Sequence, residues 1–167
     1  MSAHVDPIPR EARPFQGHRA GLMTRIAAAA IDVGIVIIAL GVCYLGVSAF
    51  LFLLNPRSFS APAVSPAVIY TAGGLLLTIY LAVSWRGSGR TYGNHVMGLR
   101  VVNHRGQRLH PVVSLVRAAL YVIFPIGLLW VIVSGRNRSL QDLVVRTSVI
   151  YDWGARSLPH APEPTRT

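Results

Sequence analysis

The sequence contains a single cysteine, no lysine and only 6 acidic residues among 167. Cys43 therefore cannot form a disulfide within the chain, and it lacks a neighbouring cysteine at the spacing of a metal site. Charged residues make up only 13% of the chain, whereas hydrophobic residues make up 52%. Soluble domains carry roughly 25% charged residues. The composition therefore argues against an ordinary soluble domain and predicts a membrane protein.

The basic residues are all arginines, 16 in number, and they give a formal net charge of +10. They flank apolar runs, and no aromatic residues alternate with them as in a nucleic-acid-binding groove. Arginines in such positions are typical of cytoplasmic anchors that face anionic lipid headgroups. We therefore expect this charge to meet a lipid bilayer and not a nucleic acid.

Two apolar runs, at residues 26–54 and 67–85, are long enough to cross a bilayer, which takes about 20 helical residues. The polar residues 1–21 and 153–167 are predicted to be disordered tails. Residues 22–152 then form one membrane domain.

The arginines also predict the orientation of the chain. Four of them precede or open the first span and five lie in residues 86–111, whereas the loop between the spans holds only Arg57. Because cytoplasmic segments are enriched in arginine, we expect the N-terminus and residues 86–111 in the cytoplasm. The chain would then be a multi-pass protein of a bacterial plasma membrane.

A third apolar run, residues 112–134, contains Arg117 and is interrupted by Pro125 and Gly127. As a plain span it would place five C-terminal arginines outside the cell, against the charge rule. We therefore favour an interfacial helix over residues 111–122, followed by a re-entrant or short helical hairpin and a cytoplasmic C-terminus. A plain third span with the C-terminus outside is the alternative.

Short strands are predicted within the polar segments. Residues 99–102 favour a strand, residues 103–106 a turn, and residues 107–109 a return. A second strand, residues 147–151, can pair with the first only if both lie on one side of the membrane. The predicted fold class is an all-α membrane protein with two full spans, a third broken segment and a small cytoplasmic β-hairpin.

The first span contains an acid, Asp32, seven residues after Arg25. At 100° per residue the two share a helix face, about 10.5 Å apart along the axis. A charged aspartate there costs roughly 2.5–3.5 kcal/mol, so it should face protein or water. Asp32 is therefore an ion or proton site, or a buried partner of Arg25 or Arg117, which we slightly favour. Ala30 and Gly34 form a small-xxx-small pair that permits close helix contact.

Polar motifs outside the spans favour structural roles. Ser139 followed by Asp142 fits a capping box that opens a short helix, with Arg138 among the neighbouring salt-bridge candidates. Gly93 and Gly98 fit turn and close-packing positions. No residue pattern supports a nucleophile with its base, a metal site or a cofactor site, so we expect no enzyme activity.

Five segments occur together in a fixed order: residues 25–32 (RIAAAAID), 89–102 (GRTYGNHVMGLRVV), the amphipathic run with Arg117, 137–142 (NRSLQD) and 147–150 (TSVI). This combination resembles the RDD family of small bacterial membrane proteins, named for one arginine and two aspartates. The resemblance covers roughly residues 20–152, with Arg90 where the family usually has lysine. It implies that the motif residues are Arg25, Asp32 and Asp142, supported by Arg117, Arg138, Gly93, Gly98 and Arg100.

The resemblance implies a membrane location, and transport has been suspected for the family. Two spans and a re-entrant segment are too few to enclose an aqueous path alone. We therefore expect a homo-oligomer or an accessory component of a larger membrane transport assembly. The face shared by Arg25 and Asp32 would then be a polar contact between helices or subunits. The alternative is a stand-alone cation or proton transporter in which Asp32 titrates.

Overall fold

Two long helices and one small antiparallel sheet make up most of the fold. The structure is a computed structural model that describes residues 17–103, 106–128, 130 and 139–152. Helix α1 (Leu22–Leu54) has 33 residues and α2 (Pro66–Gly87) has 22. At 1.5 Å per residue they extend about 50 and 33 Å. Both are long and apolar enough to cross a membrane, judged by length and composition.

Local sequence sets the ends of these helices. Helix α1 gives way at Asn55 to a 3₁₀ turn, Pro56–Ser58. Helix α2 begins at Pro66, which is favoured in the first turn because proline has no N–H to satisfy. The Ser65 side chain caps it by accepting from the backbone N–H of Val68. The two predicted apolar helices are confirmed, each extended by a few residues.

A two-stranded sheet forms beside the end of α1 that carries Leu22. Strand β1 (Leu99–Asn103) pairs antiparallel with β2 (Thr147–Tyr151), and Val101 lies opposite Val149. Residues 17–20 run along β2 as well, because the N–H of Ala20 donates to the carbonyl of Val149 at 2.9 Å. Three distant segments of the chain therefore meet at one end of the molecule, which we call the sheet end.

The predicted local β-hairpin is wrong in its partner strand. A turn does form, since the N–H of Gly106 donates to the carbonyl of Asn103 at 3.0 Å. Residues 107–109 do not continue as a strand, because Leu109 enters the core and α4 (Pro111–Ile123) begins two residues later. Strand β1 pairs instead with β2, more than forty positions away.

Helix α4 has the bounds predicted for an interfacial helix and packs along α2. Its buried face carries Ser114, Arg117 and Ala118, and its exposed face carries apolar residues such as Val112 and Leu115. The helix ends before Pro125, because proline has no backbone N–H with which to continue the helical hydrogen bonds. A 3₁₀ turn, Pro125–Leu128, follows.

The chain after α4 returns to the sheet end. The predicted re-entrant hairpin, within residues 112–134, includes residues 129 and 131–134, which lie outside the described part of the chain, as do residues 135–138. Helix α5 (Leu140–Val144) then leads into β2, beside β1. This pairing brings the C-terminal segment beside β1, as the predicted return of the chain requires.

The hydrophobic core lies at the sheet end, where α3 (Tyr92–Val96) also packs against α1. Its buried members include Ala28, Leu81, Trp85, Leu99, Val101, Leu109, Ala118 and Val149. The opposite half of α1 is exposed and apolar, with Ile38 67% and Leu45 65% accessible. There α1, α2 and the loop between them enclose an apolar groove of about 630 Å³, lined by Ile37, Cys43 and Val68 among others.

Candidate functional site

Buried polar residues gather into two clusters at the sheet end. The Asp142 cluster consists of Arg25, Arg117, Asp142 and Thr147. The Asp32 cluster consists of Asp32, Tyr80, Thr91 and Gly93. Both carboxylates are almost inaccessible, at 0% and 4% exposure for Asp142 and Asp32. Charged groups this deep must be paired or hydrogen-bonded.

In the Asp142 cluster, two arginines from different helices meet one carboxylate. Nη1 of Arg25 on α1 donates to Oδ2 of Asp142 at 2.5 Å. Nη1 of Arg117 on α4 donates to Oδ1 of Asp142 and to the hydroxyl of Thr147, the first residue of β2. The cluster therefore ties α1, α4, α5 and β2 together through buried ionic hydrogen bonds.

The short helix α5 holds the Asp142 carboxylate in place. Oγ of Ser139 accepts from the N–H of Asp142 at 3.2 Å, and the N–H of Ser139 donates to Oδ2 of Asp142 at 3.3 Å. This reciprocal arrangement confirms the predicted capping box. The predicted neighbour Arg138 lies outside the described residues. The observed partners come from far away in sequence.

Arg117 has an aromatic neighbour as well as an ionic one. Its guanidinium carbon lies 4.8 Å from the centroid of the Trp85 ring, at the distance of a cation–π contact. Trp85 also packs edge-to-face on Tyr121, with the ring centroids 5.7 Å apart. Helices α2 and α4 are thus joined by both apolar and electrostatic contact beside the Asp142 cluster.

The arginines decide the protonation state of Asp142. Burial by itself raises the pKa of a carboxyl group, because it disfavours the charged form. The positive charges of Arg117 and Arg25, and their hydrogen bonds, outweigh burial and lower the pKa of Asp142 from 3.8 to about 2. The cluster therefore holds an ionised aspartate between two cations at neutral pH.

The Asp32 cluster has a different composition from the one we predicted. Oδ1 of Asp32 accepts from the Tyr80 hydroxyl at 2.9 Å and from the N–H of Gly93 at 2.8 Å. Oδ2 accepts from the Thr91 hydroxyl at 2.5 Å. Within the described residues no arginine lies at salt-bridge distance from Asp32.

The predicted pairing of Asp32 with Arg25 or Arg117 is therefore wrong. The guanidinium of Arg25 turns toward the sheet end, where its Nε donates to the carbonyl of Ala20 at 3.2 Å. Asp32 lies about two turns further along α1, beyond the reach of that side chain. Neutral donors from α2 and α3 satisfy Asp32 instead.

Helix α3 packs closely against α1 through the hydroxyl of Thr91 and the backbone of Gly93. Thr91 caps α3 by accepting from the N–H of Asn94 at 3.1 Å, while its hydroxyl hydrogen goes to Asp32. A Cβ at Gly93 would lie 2.1 Å from the carbonyl oxygen of Ala28 on α1, so the backbones touch there. The predicted close-packing role of Gly93 is confirmed.

A further ion-pair group lies at the edge of the sheet. Asp152 accepts from Arg90 at 2.6 Å and from Arg100 at 3.3 Å. Its N–H donates to the carbonyl of Gly98, whose φ of +63° fits the predicted turn position. Arg100 and Gly98 thus fasten the C-terminal end of β2 to the segment after α3.

Several residues of the clusters were missed by the sequence interpretation. Tyr80 and Thr147 are ordinary residues in their local segments, and only their tertiary contacts reveal them. Thr91 alone had a local pattern, since a threonine three residues before Asn94 fits an N-cap. Of the predicted small-residue pair, Gly34 makes no close helix contact among the described residues, because a Cβ there would meet nothing within 4 Å.

Comparison with known protein families identifies the family to which the chain belongs. The model of the RDD family matches residues 19–146 of the chain. Because the match covers most of the sequence, the chain belongs to the RDD family, as its motifs predicted. Neither the curated proteins nor the solved structures contain a match to it.

Proposed function

We propose that this chain is a multi-pass protein of the cell membrane that works as an oligomeric or accessory component of a transport assembly, without catalytic chemistry. Helices α1 and α2 cross the bilayer, and α4 lies at its cytoplasmic surface. The apolar, exposed face of α4 and the arginine-rich sheet end support this arrangement.

The observation that carries the proposal is that Asp32 is buried and fully hydrogen-bonded by residues of the same chain. An intramembrane acid that moves an ion needs a path by which the ion reaches it. Here both carboxylate oxygens are occupied by donors of the same chain, and the residue is only 4% exposed. The apolar groove between α1 and α2 is lined by other residues. Asp32 thus serves as an anchor for α3, which favours a structural component over a carrier.

The exposed apolar half of α1 supports the proposal that a partner protein packs against it within the membrane. Ile37, Ile38 and Leu45 are more than 60% exposed, and Gly34 has open space beside it. Small residues permit close approach between membrane helices. We propose that another subunit, a second copy or a partner protein, packs against this half of α1.

The exposed arginines of the sheet end support a position of this end at the bilayer surface. Arg86, Arg108 and Arg146 are exposed there, whereas the opposite loop holds Arg57. We propose that this end faces the cytoplasm and contacts anionic headgroups, each arginine contributing about 1 kcal/mol near a charged surface.

Reconstitution into vesicles distinguishes the proposed accessory role from a stand-alone cation or proton transporter. The purified chain alone is placed in proteoliposomes, and cation flux driven by a pH gradient is measured. The proposal predicts flux no higher than in empty vesicles. Flux carried by the chain alone, and abolished by Asp32→Asn in a folded variant, would establish the stand-alone cation or proton transporter instead.

A further inference from the structure

A small cavity lies between the two arginines of the Asp142 cluster and the indole of Trp85. Its volume is about 20 Å³, and Asn94 and Tyr121 also line it. A cavity of roughly 10–15 Å³ or more suffices for one water molecule. The cavity is therefore large enough for one bound guest, a molecule or ion of about the size of water.

Two hydrogen-bond donors on the residues that line this cavity have no hydrogen-bond partner in the part of the chain that the structure describes. They are Nε1 of Trp85 and Nε of Arg117, on side chains that are 3% and 2% exposed. A buried donor without a partner destabilises the folded state, and folded proteins seldom contain one. Both groups donate and neither accepts. A guest that satisfies them must accept hydrogen bonds, which excludes a metal cation or an ammonium group.

The charge around the cavity favours the same class of guest. Arg25 and Arg117 bring two positive charges to the Asp142 cluster, and Asp142, which contacts both, brings one negative charge. The Asp142 cluster therefore carries an excess of positive charge next to the two free donors. We propose that this cavity binds one small hydrogen-bond acceptor, a halide-sized anion or a single water, held by Trp85 Nε1 and Arg117 Nε.

Such a guest would connect two helices. Trp85 belongs to α2 and Arg117 to α4, and the cation–π contact already brings them together. A ligand that binds only the folded state stabilises it by mass action. Occupancy of the cavity would therefore strengthen the α2–α4 contact, and an anion there would make stability depend on its concentration.

The first test removes one donor without changing shape. Trp85 is replaced by 3-benzothienylalanine, which has sulphur in place of the indole N–H. The same replacement at Trp130, which is 47% exposed, is the control. If the guest is present, the unfolding midpoint of the Trp85 variant falls by about 2–4 °C relative to the wild type, whereas that of the Trp130 variant does not change. An unchanged or higher midpoint would mean that the donor has no partner, which overturns the proposal.

The second test distinguishes an anion from water. Unfolding midpoints are measured in potassium chloride and in potassium gluconate at equal ionic strength. A saturable rise with chloride, absent from the Trp85 variant, identifies an anion. A downward shift in the Trp85 variant that is equal in both salts identifies water. A chloride effect of the same size in the Trp85 variant would place the anion elsewhere and contradict this site.

Discussion

At the scale of single residues, Asp142 is central, because its carboxylate pairs with two buried arginines, Arg25 and Arg117. Removing one partner of a buried ion pair leaves an uncompensated charge and costs about 3–5 kcal/mol. We therefore expect Asp142→Asn to lower the unfolding midpoint and the abundance of the protein sharply. Asp152→Asn is the matched control, since Asp152 also contacts two arginines but in a more accessible place. Equal losses from the two variants would contradict the special role of the Asp142 cluster.

The pKa of Asp142 predicts how stability depends on pH. Its folded value of about 2 lies below the ordinary 3.8, so its contribution is fully present above about pH 4. That contribution, on the order of 2 kcal/mol, disappears as the pH falls from about 4 to about 2. The measurement is the difference in unfolding free energy between the wild type and Asp142→Asn across this range. We expect the difference to shrink on acidification, and a constant difference would contradict the ionic pairing.

The hydrogen bond from Thr91 to Asp32 gives a prediction about the second cluster. Thr91→Val keeps the shape of the side chain but removes the hydroxyl that donates to Asp32 and caps α3. Hydrogen bonds to charged groups contribute about 1.5–3 kcal/mol. We expect a loss of that order in unfolding free energy. In the background of Asp32→Asn, the same substitution should cost clearly less, whereas an additive effect would mean that the two side chains are not coupled.

At the scale of secondary-structure elements, the fit between α3 and α1 is the most restrictive contact. Gly93→Ala would push a methyl group against the Ala28 carbonyl, so α3 must move. Overpacking of this kind typically costs about 1–3 kcal/mol. We expect a lower unfolding midpoint and faster tryptic cleavage after α2. Gly87→Ala is the control, since a Cβ at Gly87 meets nothing within 4 Å. Comparable cleavage rates in the two variants would argue against the contact.

The elements also show how far the sequence alone predicts this structure. The long helices, the α5 cap and the strands were predictable because apolar runs, Ser139 with Asp142 and β-branched residues act locally. The return strand over residues 107–109 was wrongly predicted, because Leu109 fits a strand locally but lies in the core, whereas the other pairing considered, with residues 147–151, is confirmed. The partners of Asp32 were missed for a related reason: helix geometry placed Arg25 on its face, but only the fold directs Arg25 toward Asp142.

At the scale of the whole molecule, strand pairing predicts the topology of the chain. Because β1, β2 and residues 17–20 share one sheet, the N-terminal segment, the segment after α2 and the C-terminal segment must lie on one side of the membrane. Reporters fused before Gly17 and after Asp152 should therefore be active in the same compartment, which we expect to be the cytoplasm. Activity of the two reporters in opposite compartments would contradict the sheet.

We propose that the chain acts through assembly with another subunit, while its buried acids hold each chain together internally. The most direct test places a photo-crosslinking benzoylphenylalanine at Ile37, which is 63% exposed on α1, in cells that express the full chain. Arg108, exposed at the sheet end, is the control position. The account predicts a discrete crosslinked product from Ile37, either twice the mass of one 18.1 kDa chain or that of a complex with a larger partner. A chain that crosslinks only to lipid and remains a monomer in its native membrane would contradict it.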